Sequence, residues 1–180
     1  MRYRRVVEAG ATYFFTLVTH QRAPLFAGSE NVERWRTAIA KLQKKRPFRI
    51  DAEVILPDHL HLLWTMPAGD GDYATRIRLA KTAVTKSLEL GKEQALSKSR
   101  ARKGEREIWQ RRYWEHLIRD ERDFQLRLDY IHYNPVKHGL VEGPADWPHS
   151  TFQTWVANGV YDPCWGSTDI PSIPDWAEAE

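Results

Sequence analysis

Cysteine is almost missing from this chain: Cys164 is the only one in 180 residues, which excludes an internal disulfide and a cysteine-based zinc site built within one chain. No apolar run approaches the roughly 20 residues that a membrane-spanning helix needs, and the opening MRYRRVVEAG lacks the apolar stretch of a secretory signal. The expected location is therefore the cytoplasm. No internal repeat is visible. Basic side chains are missing from residues 162–180, where Asp162, Asp169, Asp175, Glu178 and Glu180 stand without Lys or Arg. Taking those five negative charges away from the formal net +3 leaves +8 on residues 1–161. A body so charged suits a polyanion such as nucleic acid, although surplus lysine is also a common route to solubility. With 42% hydrophobic, 12% aromatic and 28% charged residues the chain is too rich in rings for disorder. One folded domain is expected over residues 1–160, followed by an acidic tail over 161–180.

What is present alternates between strand-like and helix-like segments. ATYFFTLVTH (11–20) is aromatic and β-branched and predicts a strand. Ser29 is placed to cap a helix with Val32, Trp35, Ile39 and Leu42 at helical spacing and a basic outer face of Arg36, Lys41, Lys44 and Lys45, closed by Pro47. Ile50, Ala52 and Val54 then alternate with polar residues as in a strand, Pro57-Asp58 makes a turn, and HLHLLWTM returns as the second arm of a hairpin. Asp72 can cap a second helix striped by Ile77, Ala80, Val84 and Leu88, with Gly91 as its stop. Residues 91–107 carry six basic and three acidic side chains without apolar periodicity, which predicts an exposed basic loop. EIWQRRYWEHLIR (107–119) is strand-like, RDERDFQLRLDYIHYNPVKHG reads as a helix running toward Gly139, and an irregular wrap follows. The order β-α-β-β-α-β-α is an α+β arrangement, the ferredoxin-like βαββαβ plan with an antiparallel sheet and one further C-terminal helix. That plan hosts unrelated functions, so function must come from the site.

The segment DHLHLLW places His59 and His61 on the same side of a strand as Leu63 and Thr65, while Leu60, Leu62, Trp64 and Met66 form an apolar opposite side. Two imidazoles projecting together are close enough to bind one divalent cation through neutral ring nitrogens. The plainer alternative is a pair satisfied by backbone carbonyls or exposed at a sheet edge. On the last helix Phe124, Leu128 and Ile131 make a core stripe, and Tyr130 and Asn134, four residues apart, share its flank. A phenol and an amide oxygen thus point the same way, and Asn134 could be a third ligand. Here too a plainer reading stands: Tyr130 as an amphipathic core residue, and Asn134 as the cap of a break that Pro135 encourages. Asp58 adjoins the pair but points to the other side of an ideal strand, where turn formation is its expected task. His20 and His116 are assigned ordinary hydrogen-bonded structural roles, and His132 falls on a different side of the helix from Tyr130, away from the metal.

These residues carry a resemblance. HLHLLW with a downstream helical Y-x-x-x-N resembles the HUH-type single-strand transposases, and WQRRYWEHLIRDERDF followed by DYIHYNPVKHGLV resembles their REP-associated tyrosine transposase subgroup. YFFTLVTHQR and LPDHLHLLW occur in the expected order, so the resemblance spans most of residues 11–155. It implies a nucleophilic tyrosine at Tyr130 and metal ligands at His59, His61 and Asn134. Related insertion-sequence transposases usually carry Gln where this chain has Asn134, whose shorter side chain shifts the amide oxygen. The implied activity is cutting and rejoining of single-stranded DNA with hairpin-forming repeats, in a bacterial, nucleoid-associated setting, through a 5′-phosphotyrosine and a free 3′ hydroxyl. Its implied cofactor is Mg²⁺ or Mn²⁺, since two nitrogens and an amide oxygen make a moderately hard site, although imidazole also binds zinc. Monomers and homodimers sharing active sites both fit the resemblance.

For DNA contact, Arg111 and Arg112 beside Tyr113 and Trp114 combine phosphate-seeking cations with rings for stacking, half of which an alternating strand would turn toward DNA, with Trp114 equally suited to the core. Lys81, Lys86, Lys137, Arg100, Arg102 and Lys103 are further phosphate candidates. Two rival classes remain: a non-catalytic single-strand nucleic-acid binder, and a hydrolase that uses the histidine pair to activate water. A further expectation is that the acidic tail folds over the basic body and competes with DNA, against a simply solvated terminus.

Overall fold

The computed structural model describes residues 7–88, 107–167 and 171. Within them the chain forms β1 (Thr12–Val18), α1 (Ser29–Lys45), β2 (Arg49–Ile55), β3 (His59–Thr65), α2 (Tyr73–Ser87), β4 (Trp114–Leu117), α3 (Glu121–Lys137) and α4 (Phe152–Ala157). The strands make one sheet in the order β2-β3-β1-β4, every neighbouring pair antiparallel. This is the α+β plan expected from the element order, with α3 as the added helix.

Alternation along the strands sorts the side chains into two layers. Tyr13, Phe15 and Leu17 of β1 and Leu60, Leu62 and Trp64 of β3 point to one side, where Trp35, Ile39 and Leu42 of α1 and Ile77, Ala80 and Val84 of α2 cover them. Phe14 and Leu63 point to the other, packed with Leu128, Tyr130 and Ile131 of α3 and Phe152 of α4. The apolar face of the histidine strand is thus an anchor for two helices, which fixes what its other face can offer.

Several local expectations are corrected. Ser29 does not cap α1: the N-cap is Gly28, and no side chain accepts there. Ile50, Ala52 and Val54 do not share a face, because an irregularity at Asp51 shifts the β2–β3 register. Ile50 packs with the α1 and α2 layer, and Ala52 and Val54 with α3. An inserted residue reverses facing in this way. The strand expected over 107–119 shrinks to Trp114–Leu117, preceded by one isolated bridge from Trp109 to Thr19. The alternation rule therefore does not govern Arg111 and Arg112, and both are exposed.

Asp72 caps α2 as expected, accepting from the Thr75 amide at 3.0 Å. Gly91, and with it Arg100, Arg102 and Lys103, lies outside the described residues. Asp120 caps α3 through the Asp123 amide at 2.8 Å. The helix then runs through Pro135 to Lys137, and Gly139 follows with φ +64, a left-handed value that suits glycine after a helix end. Asn134 is therefore interior to the helix and does not cap a break.

Packing continues past residue 160. Tyr161 is 7% exposed and belongs to the α3 and α4 core, where its hydroxyl donates to Asp129 at 2.6 Å. Trp165 stacks near Phe152 and Tyr161. Of the acidic residues assigned to a tail, only Asp162 is described.

Candidate active site

The site lies on the α3 face of the sheet, at the start of β3. His59 and His61 are 3% and 0% exposed, with ring centroids 4.9 Å apart. Each ring is oriented through Nδ1. His61 Nδ1 meets Thr16 Oγ1 at 3.0 Å, because antiparallel pairing sets Thr16 directly opposite His61. His59 Nδ1 meets Asp58 Oδ1 at 2.6 Å. Orientation through Nδ1 leaves Nε2 as the nitrogen with which each ring would meet a cation.

Asp58 is thus more than a turn residue. Its second oxygen accepts from Arg22 Nη1 at 3.1 Å, and Arg22 is brought there by a turn in which Gln21 and Arg22 adopt φ of 53 and 50. Burial pushes the Asp58 carboxyl up, but hydrogen bonds from His59 and Arg22 outweigh that and hold it below the usual carboxylate range. Neither the contact of Thr16 with His61 nor that of Arg22 with Asp58 could be read from sequence, since the first is a property of strand register and the second of a left-handed turn.

The helix meets the strand at two points. Tyr130, 1% exposed, packs its ring 5.1 Å from that of His61. His138, the C-cap of α3, lies 5.0 Å from His59, ring to ring. Asn134 sits between them, four residues after Tyr130 and four before His138, so that the three follow one another about a turn apart on one flank. The structure thus brings Tyr130 against His61 and His59 against His61, with Asn134 one turn beyond Tyr130 on the helix, and it adds His138, which had not been singled out, beside His59. Asn134 is fully buried, and among the described residues neither its amide oxygen nor its amide nitrogen has a hydrogen-bond partner. A buried amide without partners costs on the order of 1–3 kcal/mol, which a ligand to its oxygen would relieve. Among the described residues no three His, Cys, Asp or Glu side chains are placed to hold a metal ion by themselves.

A row of facing residues runs across the sheet from Val54 through His61 and Thr16 to Trp114. Trp114 is thus two strands from His61, about 10 Å at ordinary strand spacing. It is 45% exposed, contacts Phe14 edge-on at 5.5 Å and stacks parallel to His116 at 5.7 Å. The Arg127 guanidinium lies 5.0 Å from its ring. Trp114 is consequently not core, and Arg111 and Arg112 are exposed just before it.

Other candidates stand elsewhere. Lys81 and Lys86 belong to α2, whose layer packs on the sheet face opposite the histidines. Lys81 donates to the Gln110 carbonyl at 2.7 Å and lies over the Trp109 ring. Lys137 reaches Tyr130, with Nζ 3.4 Å from the phenolic oxygen. His132 points away from the pair and meets Thr151 Oγ1 at 3.0 Å, and burial pushes it down to about 3. His20 faces Glu107 at 3.4 Å, and His116 meets Asp123 at 2.7 Å. No helix among the described residues is long and apolar enough to cross a membrane.

Comparison with known proteins places the chain in a family. A family model described as Transposase IS200 like matches residues 9–134. A relative from Haemophilus influenzae is 44% identical over 164 residues, covering 91% of this chain and 92% of its own. The REP-associated tyrosine transposase of Escherichia coli K12 is 40% identical over 164 residues, covering 91% of this chain and 89% of its own. Among solved structures, that of a REP-associated tyrosine transposase bound to a REP hairpin superposes with a TM-score of 0.77 at 38% identity, covering 97% of each chain.

Proposed function

From the premise that this chain belongs to the IS200-like transposase family, among its REP-associated tyrosine transposases, and is thus an enzyme acting on DNA, we propose that it cuts and rejoins single-stranded DNA beside REP-type hairpins through a phosphotyrosine at Tyr130. The observation that carries the proposal is the buried phenol of Tyr130 against the His61 ring, with the Asn134 amide, partnerless among the described residues, one turn farther on.

In this reading the DNA hairpin is the partner, and the chain's residues divide the work. His59 and His61, their rings fixed by Asp58 and Thr16, would hold a divalent cation, Mg²⁺ or Mn²⁺, with the Asn134 oxygen. When bound, that ion neutralises charge on the scissile phosphate. Tyr130 supplies the attacking oxygen: its bond to phosphorus forms as the bond to the 3′ oxygen breaks, leaving a 5′-phosphotyrosine and a 3′ hydroxyl. The covalent link conserves the phosphodiester, so rejoining needs no nucleotide. Exposed Trp114 offers a stacking face for an unpaired base, and Arg111 and Arg112 offer charge to the backbone.

The test is incubation with single-stranded DNA carrying a REP-type hairpin and Mn²⁺. The unaltered chain is expected to give a denaturation-resistant protein–DNA adduct, and Tyr130→Phe is expected to bind the DNA without forming it. Cleavage that survives Tyr130→Phe without an adduct would indicate a water-activating hydrolase, and hairpin binding without cleavage would indicate a simple binder.

A further inference from the structure

We propose that Lys137 is a further catalytic residue, whose ammonium stabilises the charge on the Tyr130 oxygen both as it attacks phosphorus and as it leaves. The inference rests on the phosphotyrosine reading and deepens it. Lys137 is the last residue of α3, seven after Tyr130 and so about two turns on, on the same side of the helix. Helical side chains lean toward the N-terminus, and this one leans back onto the nucleophile. Nζ is 3.4 Å from the phenolic oxygen and 5.0 Å from the ring centroid.

The chemistry of the pair fixes the direction of the interaction. A lysine ammonium has three donors and no acceptor, so Lys137 donates to the oxygen and is not the base that takes the phenol proton. The phenol loses this proton and the departing 3′ oxygen gains one, so the net step moves a proton from one oxygen to the other. What Lys137 can meet is the negative charge that the phenolic oxygen carries as its proton departs and its bond to phosphorus forms. The contact is longer than the 2.7–2.9 Å typical of a charge-assisted hydrogen bond, so it can tighten as that charge grows. A contact that strengthens during reaction lowers the barrier without merely tightening ground-state binding. Because Tyr130 is 1% exposed, water competes little for the oxygen, and the effect of one aimed donor is correspondingly large. In rejoining, the same oxygen is the leaving group, so one donor serves both directions.

The expectation from sequence was a phosphate contact, and the two roles separate experimentally. Lys137→Gln and Lys137→Arg would be compared with the unaltered chain in single-turnover adduct formation at saturating hairpin DNA and Mn²⁺. Hairpin affinity and its salt dependence would be measured in the non-cleaving Tyr130→Phe background. The expected result is a fall of about 10²-fold in the adduct rate for Lys137→Gln, partial recovery in Lys137→Arg, and affinity and salt slope both unchanged. Retained affinity also shows that the variant is folded. A normal rate at saturation, with weaker binding and a salt slope reduced by about one, would make Lys137 a phosphate contact and overturn the assignment alone. Failure of the unaltered chain to form any adduct would overturn the phosphotyrosine reading and this assignment with it.

Discussion

A histidine that is to hold a cation must keep its ring still, and at His59 that task falls to a neighbour in sequence. The Asp58 carboxylate meets Nδ1 at 2.6 Å and is itself fixed by Arg22 at 3.1 Å. At His61 the group that meets Nδ1 is a neutral hydroxyl, that of Thr16 at 3.0 Å. A carboxylate both orients an imidazole and raises its basicity more than a hydroxyl does, so the two rings are unequally supported. Asp58→Ala is therefore expected to weaken Mn²⁺ binding by about 10–100-fold, and Thr16→Val to weaken it less, as read by calorimetric titration of the DNA-free protein. Equal small effects would mean that packing, and not these hydrogen bonds, sets the rings.

At the scale of elements, α3 buries polar residues beside its apolar ones: Asp123, Arg127 and Asn134 are 4%, 3% and 0% exposed. Asp123 accepts from His116 at 2.7 Å and from the Arg119 amide and Nε at 3.1 Å each, and Arg127 lies over the rings of Phe14 and Trp114. Burial pushes the Asp123 carboxyl up, but these donors prevail and hold it at about 2, well below the ordinary aspartate value of 3.8. Its ionised form is thus favoured by folding. The contribution, about 2 kcal/mol, is present above pH ~4 and is lost as pH falls through ~2. Asp123→Asn should accordingly be clearly destabilised in urea at pH 6, with the gap to the unaltered chain narrowing by most of that amount at pH 2.5. A gap that stays constant would show that the carboxylate's charge is not what matters. The same helix marks what could be read in sequence and what could not. Period-2 alternation gave both faces of β3, and helical spacing paired Tyr130 with Asn134, because those patterns are local. A wheel that scores apolar residues cannot find Asp123 or Arg127 as inward-facing, since their burial depends on His116 and Trp114 of β4. The bulge at Asp51 and the passage of α3 through Pro135 were hidden for a related reason: tertiary packing overrode a local preference in each.

Taken whole, the molecule gives its two sheet faces different tasks. The α1 and α2 side is an apolar core, whereas the α3 side carries the histidines, Tyr130 and Trp114 and must still be sealed from water at its outer edge. Tyr161 and Trp165 contribute to that seal by packing with Phe152, so a cut placed by composition at residue 160 would open the second core. Two truncations separate stability from charge. Removing 161–180 deletes two packed aromatics and is expected to cost several kcal/mol, in line with about 3–5 kcal/mol for truncating one large buried ring, and thermal unfolding would register it. Ending the chain after Ser167 retains both rings and still removes Asp169, Asp175, Glu178 and Glu180. If those carboxylates compete with DNA for the basic body, this shorter chain should bind hairpin DNA more tightly at low salt, with the advantage vanishing as salt screens it. Equal affinity at every salt concentration would remove the acidic end from any account of DNA binding, while leaving the sealing role of Tyr161 and Trp165 intact.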